Sequence, residues 1–381
     1  MPTLDEFSEI VPLPGRKGPL KYQSQVRLSN PNTPAAVSGA GAASGHWARG
    51  TSDDGLSAGR RIAVILNVMA VQGLGRTPAV HSPRRPTGVV LAAWTVILAL
   101  SLMPTVVAQE VLGEPVSADL RAGSSVAVIL AGLLSTLAWK PLRTLRPLLG
   151  LFLVLVAAQW AVYTQLGRLP IFLGWLRDRS FSVYMPAELV LNLIVTLAVV
   201  AALVGLKRDR RAFYLSRGDP SAPAEPIRWL GVKPGARWSK TGRDLSIVIS
   251  LGTLAFLAIA GRTSIDIAGA VLPFLPAVLL AAALNAFNEE MTYKASLLSV
   301  LLEPVGSRQA LRMVAAYFGI AHFYGVPYGL VGVVLAWFLG WILAKSMLET
   351  RGLTWAWFIH FVQDVLIFGF MATGAITPGG G

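Results

Sequence analysis

The chain has 381 residues, 54% of them apolar and 14% charged, against roughly 45–50% and about 25% in soluble domains. With a mean hydropathy of +0.58, that composition excludes an ordinary soluble globule. The net charge of +13 does not signal nucleic acid. The basic residues stand in short clusters between apolar runs, without interleaved aromatics, as in cytoplasmic loops facing anionic lipid.

Residues 1–60 are rich in Pro, Gly, Ser and Ala and read as a disordered segment or an over-long gene start, with Met69 as an alternative initiator. Ile62–Gly75 is uncharged for 14 residues, short of the roughly 20 that cross a bilayer. Longer uncharged runs follow: 24 residues over Pro86–Gln109, 18 over Ala122–Trp139 and 21 over Pro147–Gly167. Met185–Leu206, with Glu188 near one end, and Leu245–Gly261 continue the series. Pro273 and Pro276 before, and Pro304 with Gly306 after, predict one helix from about Ala277 to Leu302. At 1.5 Å per residue it is ~39 Å long and holds Glu289 near its middle. Met313–Ala344 lacks Lys, Arg, Asp and Glu for 32 residues, and Gly325-Val-Pro-Tyr-Gly329 divides it in two. A last helix covers about 353–372.

The fold class is therefore an all-α integral membrane protein, a polytopic bundle of about 8–9 transmembrane helices. It divides into the N-terminal segment 1–60, N-terminal membrane helices over 61–206, a basic loop over 207–243 and a C-terminal membrane domain over 244–376. The loop has ten Lys and Arg against three Asp and Glu, and its Trp229 and Trp238 suit the lipid interface. Clusters at Arg76, Arg84 and Arg85 and at Lys140, Arg143 and Arg146 alternate with an acidic loop at Glu110, Glu114 and Asp119. Basic loops inside give a multi-pass cell-membrane protein with a cytoplasmic N-terminus; Arg168, Arg177 and Arg179 run against that pattern. The absence of cysteine rules out disulfides and thiolate chemistry.

Ionisable groups in membrane helices cost about 2.5–3.5 kcal/mol on insertion scales, so each needs a reason. Glu289, Glu290, His322, His360 and Asp364 are such groups. Glu290 and Lys294 lie four apart with the acid first, a helical ion pair that leaves Glu289 available. Phe318 and His322, and His360 and Asp364, share the same spacing, each pair on one helix face.

The three pairs, read as Glu289-Glu290-Met-Thr-Tyr-Lys294, Phe318-Gly-Ile-Ala-His322 and His360-Phe-Val-Gln-Asp364, resemble the signature of the CPBP (CAAX protease and bacteriocin-processing, or Abi) intramembrane endopeptidases. The resemblance covers roughly residues 270–372. Lys294 stands where the family has Arg, Ala295 where Gly is common, and Asp364 where Asn is common. The resemblance implies a catalytic set of Glu289, His322, His360 and Asp364, supported by Glu290, Lys294 and Phe318. It implies a membrane-associated peptide or protein as substrate.

For that chemistry Glu289 is the candidate general base, with His322 orienting the same water. His360 and residue 364 would face the scissile carbonyl, as the resemblance implies. An ionised Asp364 only accepts hydrogen bonds, so it is either protonated or orients His360. The favoured reading needs no cofactor; zinc held by Glu289, His322, His360 and Asp364, as in a metalloprotease, is the alternative. A reading of a different class is a non-catalytic membrane scaffold or a transporter with a buried polar cavity. The sequence gives no oligomeric state and no nucleic-acid partner.

Overall fold

The computed structural model describes residues 86–178, 180–261 and 267–376. The expectations for residues 1–60, Ile62–Gly75 and Met69, and for Arg76, Arg84, Arg85 and Arg179, lie outside these residues. Thirteen α-helices run through the described chain: α1 (Thr87–Ala99), α2 (Met103–Val106), α3 (Ala118–Ala138), α4 (Arg146–Thr164), α5 (Pro170–Leu176), α6 (Phe181–Gly205), α7 (Trp238–Ala260), α8 (Ile267–Val271), α9 (Leu275–Glu289), α10 (Ser296–Val305), α11 (Ser307–Ala321), α12 (Leu330–Thr350) and α13 (Thr354–Ala372). No strand forms among the described residues, only the isolated bridges Pro223–Arg237 and Ile227–Val232.

Among the described residues seven helices are long and apolar enough to cross a membrane, and eight if a bent pair at the start acts as one span. The protein is thus an all-α polytopic membrane protein, with 7–8 candidate spans among the described residues, consistent with the bundle expected from sequence. Two local causes set the lower end of that range. Pro86–Gln109 does not form one rod: α1 and the helix Met103–Val111 meet at 54°. Ser101 Oγ donates to the Leu98 carbonyl at 2.8 Å and accepts from the Met103 amide at 3.1 Å. Pro104, lacking an amide N–H, sits in the first turn of α2. The second cause is α11, with only 15 residues, about 22 Å at 1.5 Å per residue. Gly306 at φ 79 starts it anew after α10, a conformation that suits glycine.

Helix α9, the turn Glu290–Ala295 and α10 make one continuous element through the bilayer. The turn is π-helical, a local widening that recurs at functional sites. The inner face of α9 carries Val278, Ala281, Ala282, Asn285 and Glu289 at helical spacing, while Leu279 and Leu280 are exposed to lipid. Around this element α13 packs on α9 and α7, α6 on α9 and α4, and α11 along α12. Outward Leu134, Leu251, Ile259 and Leu330 are mostly exposed, as a hydrocarbon solvent permits.

Small residues let the helices close in. A Cβ on Gly319 of α11 would come within 2.7 Å of both the Trp337 Cβ and the Val333 carbonyl of α12. A Cβ on Gly340 of α12 would meet the Phe318 ring at 2.8 Å.

The segment between α6 and α7 folds back on the protein. The Asp219 amide donates to the Thr350 carbonyl at 2.7 Å and the Leu353 amide to the Ser216 carbonyl at 2.9 Å. Trp355 Nε1 donates to the Pro220 carbonyl at 2.8 Å. Trp238, placed at the lipid interface by sequence, is instead 1% exposed and donates to Glu349 Oε2 at 2.7 Å. Its indole serves a half-buried carboxylate that sequence could not show as its neighbour. Trp229 is half exposed against Phe338 and Trp341.

Gly319→Val should destabilise the detergent-solubilised protein by about 1–3 kcal/mol through overpacking, read as a lower thermal unfolding midpoint. An unchanged midpoint would mean that α11 and α12 do not need this close approach.

Candidate active site

The site begins with a burial problem. Glu290 and Lys294 both have fully buried side chains, and Lys294 Nζ lies 2.7 Å from Glu290 Oε1. A buried ion pair is tolerable only where further groups take up the remaining polar capacity. His360 Nδ1 of α13 donates to the same Glu290 oxygen at 2.6 Å. The Lys294 ammonium lies 3.1 Å from the centroid of the Phe318 ring, a desolvated cation–π contact. Lysine in place of arginine fits this geometry: a compact point charge sits on a ring face and pairs with one oxygen, where a guanidinium would engage two.

The Phe318 ring also stands edge-on to His360, with centroids 5.9 Å apart, and tilts against His322 at 4.3 Å. One aromatic ring therefore touches residues from all three sequence motifs.

Each imidazole is fixed by its Nδ1. His322 Nδ1 donates to the Phe318 carbonyl at 2.8 Å, since that carbonyl can only accept. His360 Nδ1 is held by Glu290. Both rings therefore turn Nε2 toward Glu289, with Oε2 at 3.8 Å from His322 and 3.5 Å from His360. Glu289 Oε2 is buried, and no protein group hydrogen-bonds to it. The His322 side chain is 32% exposed against 5% for Glu289, so the carboxylate is reached past His322.

Asp364 closes the set. Its Oδ1 lies 3.6 Å from His360 Nε2, and its Oδ2 accepts from Asn285 Nδ2 at 3.1 Å. All seven residues singled out by sequence thus converge on one cluster at the α9–α11–α13 junction. Sequence reasoning missed Asn285, although it sits four residues before Glu289 on the same helix face. It also missed the anchor beneath: Asn288 Nδ2 donates to the Leu189 carbonyl at 3.0 Å and its Oδ1 accepts from Thr196 at 3.1 Å, pinning α9 to α6. No local pattern joins residues that far apart in the chain.

The donor set includes two imidazoles and two carboxylates, a chemistry that zinc accepts. Among the described residues, however, no group of three or more His, Asp or Glu side chains has the arrangement to hold a metal ion.

Residues 271–366 match the family described as type II CAAX prenyl endopeptidase, Rce1-like, consistent with the CPBP resemblance. The matched stretch runs from the last residue of α8 into α13 and contains every one of the seven residues. No curated protein and no solved structure matches the chain.

Removing one partner of a buried pair leaves a charge in low dielectric, at a cost of about 3–5 kcal/mol. Lys294→Met should therefore lower the thermal unfolding midpoint sharply, and the double variant Glu290→Gln/Lys294→Met should restore most of it. Equal losses in both would show that the aromatic contact, rather than the charge, is what matters.

Proposed function

We propose that this chain is an intramembrane endopeptidase of CPBP type, hydrolysing a peptide bond of a membrane-associated protein or peptide. The observation that supports this best is the approach of two imidazole Nε2 atoms to one buried carboxylate oxygen that no protein group hydrogen-bonds. The match to type II CAAX prenyl endopeptidases supports the substrate class: a membrane-associated protein.

Glu289 and His322 share the nucleophilic water. Their facing atoms are 3.8 Å apart, a separation at which one bridging water serves both. Glu289 takes the water proton as the oxygen attacks the scissile carbonyl. His360, as the imidazolium, donates through Nδ1 to Glu290 and through Nε2 to the developing oxyanion. Glu289 then returns the proton to the leaving amine. Asp364 acts on His360 rather than on the substrate, because an ionised carboxylate cannot donate to an oxyanion. Glu290 and Lys294 are positioning residues, fixing the orientation of the His360 ring. The favoured reading needs no metal.

In this reading the protein sits in the cell membrane with a cytoplasmic N-terminus, as its loop charges suggest. The α6–α7 segment meets the α12–α13 turn, so both lie on one face of the bilayer. With α4 and α6 each crossing once, Lys140, Arg143 and Arg146 fall on that same face, and an excess of Lys and Arg marks the cytoplasmic side.

Glu289→Gln should abolish cleavage, lowering the rate by about 10² or more, as loss of a general base does. The check compares the terminal peptides of membrane proteins, by mass spectrometry, between cells with wild type and cells with Glu289→Gln or His322→Ala at equal expression. A new terminus seen only with wild type establishes the peptidase and identifies its substrate. Identical termini in all three would replace it with a scaffold or transporter.

Once a substrate is known, cleavage by the purified protein should survive treatment with a strong chelator. Activity lost on chelation and restored by zinc would overturn the metal-free mechanism while leaving the peptidase intact.

A further inference from the structure

A half-open cavity lies away from the peptidase cluster, where the α6–α7 segment meets the α12–α13 turn. It has a volume of about 700 Å³ and is lined by Arg210, Arg211, Arg217 and Arg351, with Asp219 and Glu349 as its carboxylates. Neither acid neutralises those arginines. Asp219 Oδ1 accepts from the Ser221 amide at 2.9 Å. Glu349 is bound to Lys345 and accepts from Trp238 Nε1. Among the described residues, no carboxylate forms an ion pair with any of the four arginines.

The walls are fixed by backbone. Besides the amide bonds to Thr350 and Ser216, Thr354 Oγ1 donates to the Arg217 carbonyl at 2.8 Å and Ser216 Oγ to the Arg351 carbonyl at 3.0 Å. Gly218, at φ +64, packs so tightly that a Cβ there would lie 2.3 Å from the Thr350 oxygen. Arg351 has φ 55, a left-handed conformation uncommon outside glycine that ends α12 and turns the chain into α13. The cationic side chains thus stand on a stiff frame, which reduces the ordering cost of binding an anion.

We propose that this cavity binds a phosphate group. Four guanidinium groups that form no ion pair with a carboxylate outnumber the two acids of the lining and offer the forked donors that phosphate oxygens accept. The end of the α12 span places them at the level of lipid headgroups. A phosphodiester headgroup and a soluble phosphate compound share this chemistry, and the test separates them.

The purified full-length protein would be titrated with inorganic phosphate and glycerol phosphate by calorimetry. In parallel it would be reconstituted in nanodiscs of phosphatidylcholine alone or of phosphatidylcholine with phosphatidylglycerol, and retained lipid counted by native mass spectrometry. Wild type should bind the soluble phosphates, or selectively retain phosphatidylglycerol. The first result assigns a soluble ligand, the second a headgroup.

Arg211→Gln/Arg217→Gln removes two exposed cavity arginines and should weaken that binding at least about tenfold. Lys207→Gln/Arg228→Gln removes the same charge from the same segment outside the cavity and should change it less than about twofold. No binding of either kind by folded wild type overturns the site. So does equal weakening by the two double variants, which would show only diffuse attraction to a basic surface.

Discussion

The site depends on keeping one ion pair dry. Lys294 and Glu290 are fully buried, so their polar capacity falls to protein groups. Glu290 Oε1 accepts from both Lys294 and His360 while its Oε2 has no hydrogen-bond partner, and Lys294 rests on the Phe318 ring. These contacts tie α13 and α11 to the central helix. Once they are made, the orientation of both histidines follows: His360 is turned by Glu290, and His322 by the carbonyl of the residue whose ring covers the ammonium. Glu289, next in the chain, is left facing two nitrogens. The reactive geometry is thus a by-product of solving an electrostatic problem one residue away.

What the sequence made legible was whatever repeats within one helical turn. Glu290 with Lys294, Phe318 with His322 and His360 with Asp364 could be paired by counting to four, and each pair lies on one helix face in the structure. The long central helix was equally legible, because the prolines and Gly306 mark its ends and Ile267–Asn288 carries no charge. The resemblance then supplied the idea that the three pairs meet, which spacing alone could not.

The rest depended on contacts between distant residues or on small backbone choices. Asn285 became part of the site only through Asp364, 79 positions later. Trp238 looked like an interfacial aromatic until the fold set Glu349 beside it. The bend after α1 rests on a serine hydroxyl reaching two backbone groups, too subtle a signal inside 24 uncharged residues. The short α11 arises because one glycine restarts the helix.

The bonding between the α6–α7 segment and the α12–α13 turn bears on how such a chain can be divided. By composition that segment resembles a hinge between two modules, the natural place to cut, swap or fuse. Its backbone is instead stitched to the last hairpin, the one leading into the His360 helix. The leading helices are then not a detachable adaptor on a self-sufficient enzyme. A gene truncated to its family-like quarter would lose the brace at the base of its own final hairpin.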